Sequence, residues 1–193
     1  MAATARAYGF RPTNMLGGQS MSHGFRLYKI TADYATSIFQ GDLVDLVAGG
    51  TIEKNTGTTT ATPVGVFWGC EYELSDHGLI HKNMWTASTA VKSGTTAWAY
   101  VYDDPDMLFE VQADDTLGQN SLGANAAIVQ GSGNTTTGIS GVTLDASTVN
   151  TTATLPLRIV DYVTRPGFSA LGDAKTDMIV RLNTHFNRSA TGV

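Results

Sequence analysis

The sequence predicts an all-β fold, an antiparallel jelly-roll-like sandwich with an extended N-terminal arm and at most short helices. Three observations predict it. Short runs of alternating apolar and polar residues recur along the chain, turn residues separate them at close intervals, and the composition is rich in threonine and glycine, with 21 glycines in 193 residues. Threonine suits a pleated surface better than a helix. The expected division is an arm over residues 1–22 and a single β domain over residues 23–193.

The elements follow in chain order. Met1 to Ser22 is small and polar, with Tyr8, Phe10 and Arg11-Pro12 as its larger features, which reads as an extended arm. Phe25 to Thr31 has strand character, Tyr34 to Phe39 makes a turn of helix or a brief strand, and Leu43 to Ala48 and Thr51 to Lys54 are strands about Gly49-Gly50. Pro63 to Leu74 is the strongest strand. Read with period two, Val64, Val66, Trp68, Cys70 and Tyr72 share an apolar face, with Tyr100 and Phe109 as expected neighbours. Its other face carries Gly65 and Gly69, which suggests a bend or the close approach of another chain.

Ser75 to Gly78 has turn chemistry and predicts a hairpin to Leu79–Trp85. Trp98, Tyr100 and Tyr102 alternate with Ala97, Ala99 and Val101, and Asp103-Asp104-Pro105-Asp106 predicts a second hairpin to Met107–Ala113. Ser121 to Val129 reads as a short helix. Ile139 to Leu144, Leu157 to Thr164 and Asp177 to Phe186 complete the strands.

Composition narrows the function. Charged residues make up 15% of the chain, against about 25% in ordinary soluble domains, so the surface is polar but poorly charged. Such a surface dries against a neighbour with few ions to desolvate, which suits an assembly. A net charge of -5 with no basic run leaves no phosphate-tracking patch, and nucleic acid is not an expected partner. No stretch approaches the roughly 20 apolar residues of a membrane span, and no apolar leader opens the chain, so a soluble protein is expected. Cys70 is alone and sits on an apolar face, where an inert buried thiol is expected.

Candidate chemistry is sparse. His77 and His81 on a strand lie roughly 13 Å apart, too far to share a metal unless the turn folds back. Asp103, Asp104, Asp106, Asp114 and Asp115 lack the ligand pattern of a dedicated calcium loop. No phosphate loop, nucleophile elbow, paired cysteines or zinc helix is present, and Gly131-Ser132-Gly133 has no strand-loop-helix context. Asn134, Asn150 and Asn187 match the glycosylation sequon as a threonine-rich chain does by chance. No catalysis, cofactor or metal is expected.

Six segments together, YGFRP (Tyr8 to Pro12), YATSIFQGDLV (Tyr34 to Val44), PVGVFWGCEYEL (Pro63 to Leu74), DDPDMLFEVQADD (Asp103 to Asp115), LRIVDYV (Leu157 to Val163) and VRLNTHF (Val180 to Phe186), resemble the cement or decoration proteins of tailed bacteriophages. The resemblance implies a structural virion protein on the capsid exterior, assembled in the bacterial cytoplasm. It would bridge subunits of the major capsid protein and associate with copies of itself as a dimer or trimer at symmetry axes. Within the arm, Tyr8, Phe10, Arg11 and Pro12 are the expected anchors, since aromatic residues and arginine are favoured at interfaces. Two rivals stand beside it. A carbohydrate- or receptor-binding β-sandwich module would use exposed Trp85 and Trp98 as stacking platforms. A cupin-like enzyme would need His77, His81 or His185 to converge on a metal.

Overall fold

The computed structural model describes residues 6–19, 24–165, 169–190 and 192. Its strands are β1 (Arg11–Met15), β2 (Arg26–Ile30), β3 (Ile38–Phe39), β4 (Leu43–Leu46), β5 (Thr51–Lys54), β6 (Gly65–Leu74), β7 (Gly78–Lys82), β8 (Met84–Trp85), β9 (Ala97–Tyr102), β10 (Met107–Gln112), β11 (Asn125–Val129), β12 (Thr143–Asn150), β13 (Leu157–Tyr162) and β14 (Asp177–Leu182). Among the described residues helical structure is confined to two 3-10 turns, Gln119–Ser121 and Phe186–Arg188. The fold is all-β, and every strand pair is antiparallel except β2 with β5.

The first half of the chain closes a ring. Strands β4, β5, β2, β9 and β6 pair in succession, and β6 returns to β4 through Leu43 with Val66 and Val44 with Gly65. Alternation then turns Ile30, Val44, Ile52, Phe67, Cys70, Ala99 and Val101 inward, each at most 3% exposed. The β3–β8 pair adds Ile38 and Trp85 to the same core, and the Trp85 indole N–H donates to the Tyr34 carbonyl at 3.1 Å. A buried residue of this size contributes about 1.5–3 kcal/mol relative to exposure, so the interior is a genuine core.

The second half builds an open sheet in the order β1-β10-β14-β13-β11-β12. Phe109, Val111, Leu144, Ile159 and Val180 pack from this sheet against Leu43 and Val66 of the ring wall. This second core therefore lies between the ring's outside and one face of the sheet.

Four expectations change. The Pro63–Leu74 strand does not keep one face, because a bulge between Phe67 and Gly69 inserts Trp68 and reverses the alternation. Val66 points toward the open sheet, while Phe67, Cys70 and Tyr72 fill the ring. Tyr100 lies outside the ring and Phe109 belongs to the other core. The close approach at the two glycines comes from the same chain: a Cβ on Gly65 would sit 2.2 Å from the Tyr102 carbonyl oxygen, and one on Gly69 would sit 2.9 Å from that of Lys82.

The Asp103–Asp106 turn does not close a hairpin but carries the chain from ring to open sheet, since β9 pairs with β2 and β6 while β10 pairs with β1 and β14. Asp103 holds the corner to β2, accepting from the Tyr28 hydroxyl at 2.7 Å and pairing with Arg26 at 3.1 Å. The helix expected over Ser121–Val129 is the end of a 3-10 turn, then Gly123 at φ +78° and the strand β11. Asn125 to Ile128 are buried between β12 and β13, and packing on both faces overrides the helical preference of alanine.

Part of the segment expected to form an arm is built into the sheet. Arg11–Met15 pairs with β10, and Phe10 is fully buried against Phe109, edge to face at 6.3 Å between ring centroids. Residues 1–5 and 20–22 of the expected arm, and His23 just after it, lie outside the described residues.

Candidate interaction surface

The four residues expected as partner anchors occupy three environments. Phe10 is core and presents nothing to a partner. Tyr8 is a latch on the outer face of the open sheet: its hydroxyl lies 3.0 Å from Glu110 Oε1 and 2.9 Å from Asp177 Oδ1. Burial first, and those two carboxylates second, push its phenol far above the ordinary tyrosine range. Pro12 is half-buried in β1. Arg11 is exposed, and its guanidinium lies 4.0 Å from the centre of the Tyr8 ring.

The polar groups under that latch form one network. The Arg165 guanidinium grips Glu110 through two bonds of 2.9 and 2.6 Å, Gln112 donates to Asp177 at 3.3 Å, and the Arg6 backbone N–H donates to Gln112 at 2.9 Å. Glu110, Gln112 and Asp177 are all buried. Alternation along β10 and β14 aims them away from the core, and the chain around Arg6–Tyr8 and Arg165 covers them. Such a network gains its stability from being fully satisfied, and the latch shields its buried carboxylates from solvent.

The ring's outer face is different. Cross-strand register sets Leu27 beside Tyr100 and Lys29 beside Trp98 on one side, and Gly69 beside Tyr100 and Glu71 beside Trp98 on the other. Gly69 bears no side chain, so the Tyr100 ring lies over bare backbone. Phe25 meets Tyr100 at 4.4 Å between centroids, and the Tyr100 hydroxyl donates to Glu71 Oε2 at 2.6 Å. Lys29 reaches over Trp98 at 5.7 Å. Burial, then Glu71, pushes the Tyr100 phenol up to about 12. Phe25 is 45% exposed, Leu27 46% and Leu79 64%, so aromatic and aliphatic groups reach solvent along β2, β9 and β7.

Other residues singled out from the sequence do not converge. Trp85 is buried in the ring and offers no platform, whereas Trp98 is on the exposed face. His77 pairs with Asp76 in the β6–β7 turn, His81 lies 3.4 Å from Glu71, and His185 is buried at the other lobe, its Nδ1 accepting from the Asn187 N–H. Asp106 pairs with Arg188, and Asp114 accepts from the Ala146 N–H. Among the described residues no group of three or more His, Cys, Asp or Glu gathers as metal ligands. Burial pushes the Cys70 thiol up to about 12. A cleft of about 360 Å³ beside the inter-lobe corner is lined by Phe25, Arg26, Asp103, Asp104 and Asn187. Among the described residues no helix is long and apolar enough to cross a membrane.

No family model, no curated protein and no solved structure matches the chain.

Proposed function

We propose that this is a structural virion protein of the cement or decoration type, which binds the outside of a tailed-phage capsid and bridges major capsid protein subunits. The observation that carries the proposal is the ring's outer face, where Phe25, Leu27, Trp98 and Tyr100 reach solvent on and beside the closed sheet, with Leu79 next to them on β7. Aromatic anchors on a preformed surface bind with little ordering cost, which suits a protein that staples a shell. The low charge and the sequence resemblance support the same reading. Phe10, buried in the core, leaves the anchor set.

The test is co-sedimentation of the purified chain with capsids of the phage that encodes it, followed by electron microscopy of the particles. Added density on the shell exterior, lost with Trp98→Ala, is expected. Bare capsids at saturating protein would refute it. One observation favours a second reading: Trp98 and Tyr100 are two residues apart on one face beside the Glu71 carboxylate, an arrangement that stacks sugar rings and accepts their hydroxyls. Glycan-array binding without capsid binding selects that carbohydrate-binding alternative.

A further inference from the structure

Ring closure removes the edges of β4, β5, β2, β9 and β6, so in the sheet that forms the ring β7 is the strand left with an unpaired side among the described residues. None of the backbone groups of Gly78–Lys82 makes a backbone hydrogen bond outside the β6 ladder among the described residues. Free edges invite pairing, and proteins ordinarily blunt them with proline, charge or bulges. The two edges of the open sheet are blunted in this way. Edge strand β1 contains Pro12 and a register break between Pro12 and Met15. Edge strand β12 faces a register break between Asn125 and Ala127, its Leu144 is bridged to Ala113, and its Asp145 bonds Ser147 locally.

Strand β7 has neither proline nor bulge, and its one fixed charge, Lys82, stands at its end. It keeps unbroken register with β6 over five residues, from Leu74 with Gly78 to Cys70 with Lys82. It also holds Leu79 out to solvent at 64% exposure. We infer that β7 is where a second copy of this chain pairs, antiparallel, with Ile80 on the two-fold axis.

The strand's own sequence is self-complementary in that register. Ile80 faces Ile80 of the second copy, Leu79 faces His81, and Lys82 faces Gly78, which has no side chain to clash. No like charges meet. Leu79 and His81 lie on the side of β7 that continues the aromatic face, because β6 pairs them with Glu73 and Glu71. Pairing thus joins two such faces into one continuous sheet surface. Five residues of edge pairing fall short of the roughly 1,200–2,000 Å² of a standard stable interface, so the dimer is weak and concentration-dependent in free solution. The inference stands whether the external partner is a capsid or a glycan.

Sedimentation velocity across micromolar to millimolar loading tests it. The weight-average mass is expected to climb from monomer toward dimer. Leu79→Lys places a cation against His81 of the other copy and, in its own chain, next to Glu73, so the fold survives while association weakens tenfold or more. Ile80→Cys reads the register, because residue 80 meets itself at the two-fold and Cys70 is buried. Mild oxidation is expected to give a disulfide-linked dimer, and adding Leu79→Lys should suppress it. A monomer at every concentration overturns the inference. So does a dimer that ignores Leu79→Lys and forms no link at residue 80.

Discussion

The two lobes treat their outward faces in opposite ways. The open sheet turns Glu110, Gln112 and Asp177 outward and then buries them beneath Tyr8 and Arg165, while the ring turns Trp98, Tyr100 and Leu27 outward and leaves them accessible. The first face is finished within the chain, and the second still has apolar area to cover. Polar groups thus mark the closed surface and aromatic groups the open one, the reverse of the usual expectation for what faces water.

The largest effect that could break this contrast comes from Phe10. If the N-terminal segment is part of the sheet, Phe10→Ala opens a cavity beside Phe109 and costs about 3–5 kcal/mol in urea unfolding. An arm separate from the fold would lose nothing, so an unchanged midpoint would return the segment to a tail. Trp98→Ala is the complementary change. It removes a half-exposed anchor, so stability should move by no more than about 1 kcal/mol, while partner binding should fall by about 2 kcal/mol or more, a hot-spot loss. Equal losses of stability and binding would mean that the ring's outer face is structural after all.

Much of this was legible in the residues, and the failures have common causes. Strand positions at β2, β4–β7, β9, β10, β13 and β14 follow from alternation and turn chemistry, because period two survives whatever the strand packs against. What alternation cannot tell is which face is inside. In β9 the small residues Ala97, Ala99 and Val101 fill the narrow ring and the large Trp98, Tyr100 and Tyr102 go outside, which inverts the rule that bulk is buried. In β6 one bulged residue, Trp68, moved half the strand to the opposite face, and only Gly65 and Gly69 hinted at it. The second hairpin failed because a turn fixes local reversal and not sheet membership. The latch was hidden as well: Tyr8 and its partners at 110, 165 and 177 are brought together only by tertiary pairing.

The covered face can be opened more gently at its latch. Tyr8→Phe deletes the hydroxyl between Glu110 and Asp177 and keeps the ring under Arg11, so the loss is that of a buried hydrogen-bond donor, about 1–3 kcal/mol. Tyr8 also sets a pH limit. Its folded pKa is raised above the ordinary value of 10.0, so its contribution is complete below pH 10 and is lost as pH rises beyond that, when the unfolded chain ionises first. Tyr28, raised to about 12, loses its share between pH 10 and 12 in the same direction. Urea midpoints measured upward from pH 9 should fall for the parent protein, and the fall should be shallower for Tyr8→Phe. Parallel curves would show that the latch hydroxyl is not held as the geometry has it.

The smallest effect lies at His185, where the open sheet's last strand runs into the 3-10 turn. Its Nδ1 caps that turn while Nε2 is buried with no hydrogen-bond partner among the described residues, and burial lowers its pKa from the ordinary 6.5. The neutral ring is therefore the folded form. Its stabilising contribution is present above pH 6.5 and lost as pH falls through the depressed folded value, when protonation would put a charge in a buried site. Asp103, Asp104 and Asp106 oppose that loss by favouring the cation, and Arg188 reinforces it, so the net change is the modest remainder of opposing influences. His185→Gln keeps a capping acceptor and cannot titrate. The difference in urea midpoint between the parent and this variant should shift against the parent on going from pH 7.5 to pH 5.5. No shift would mean that the imidazole finds a proton acceptor when it charges, and that this end of the open sheet is less finished within the chain than its latched face.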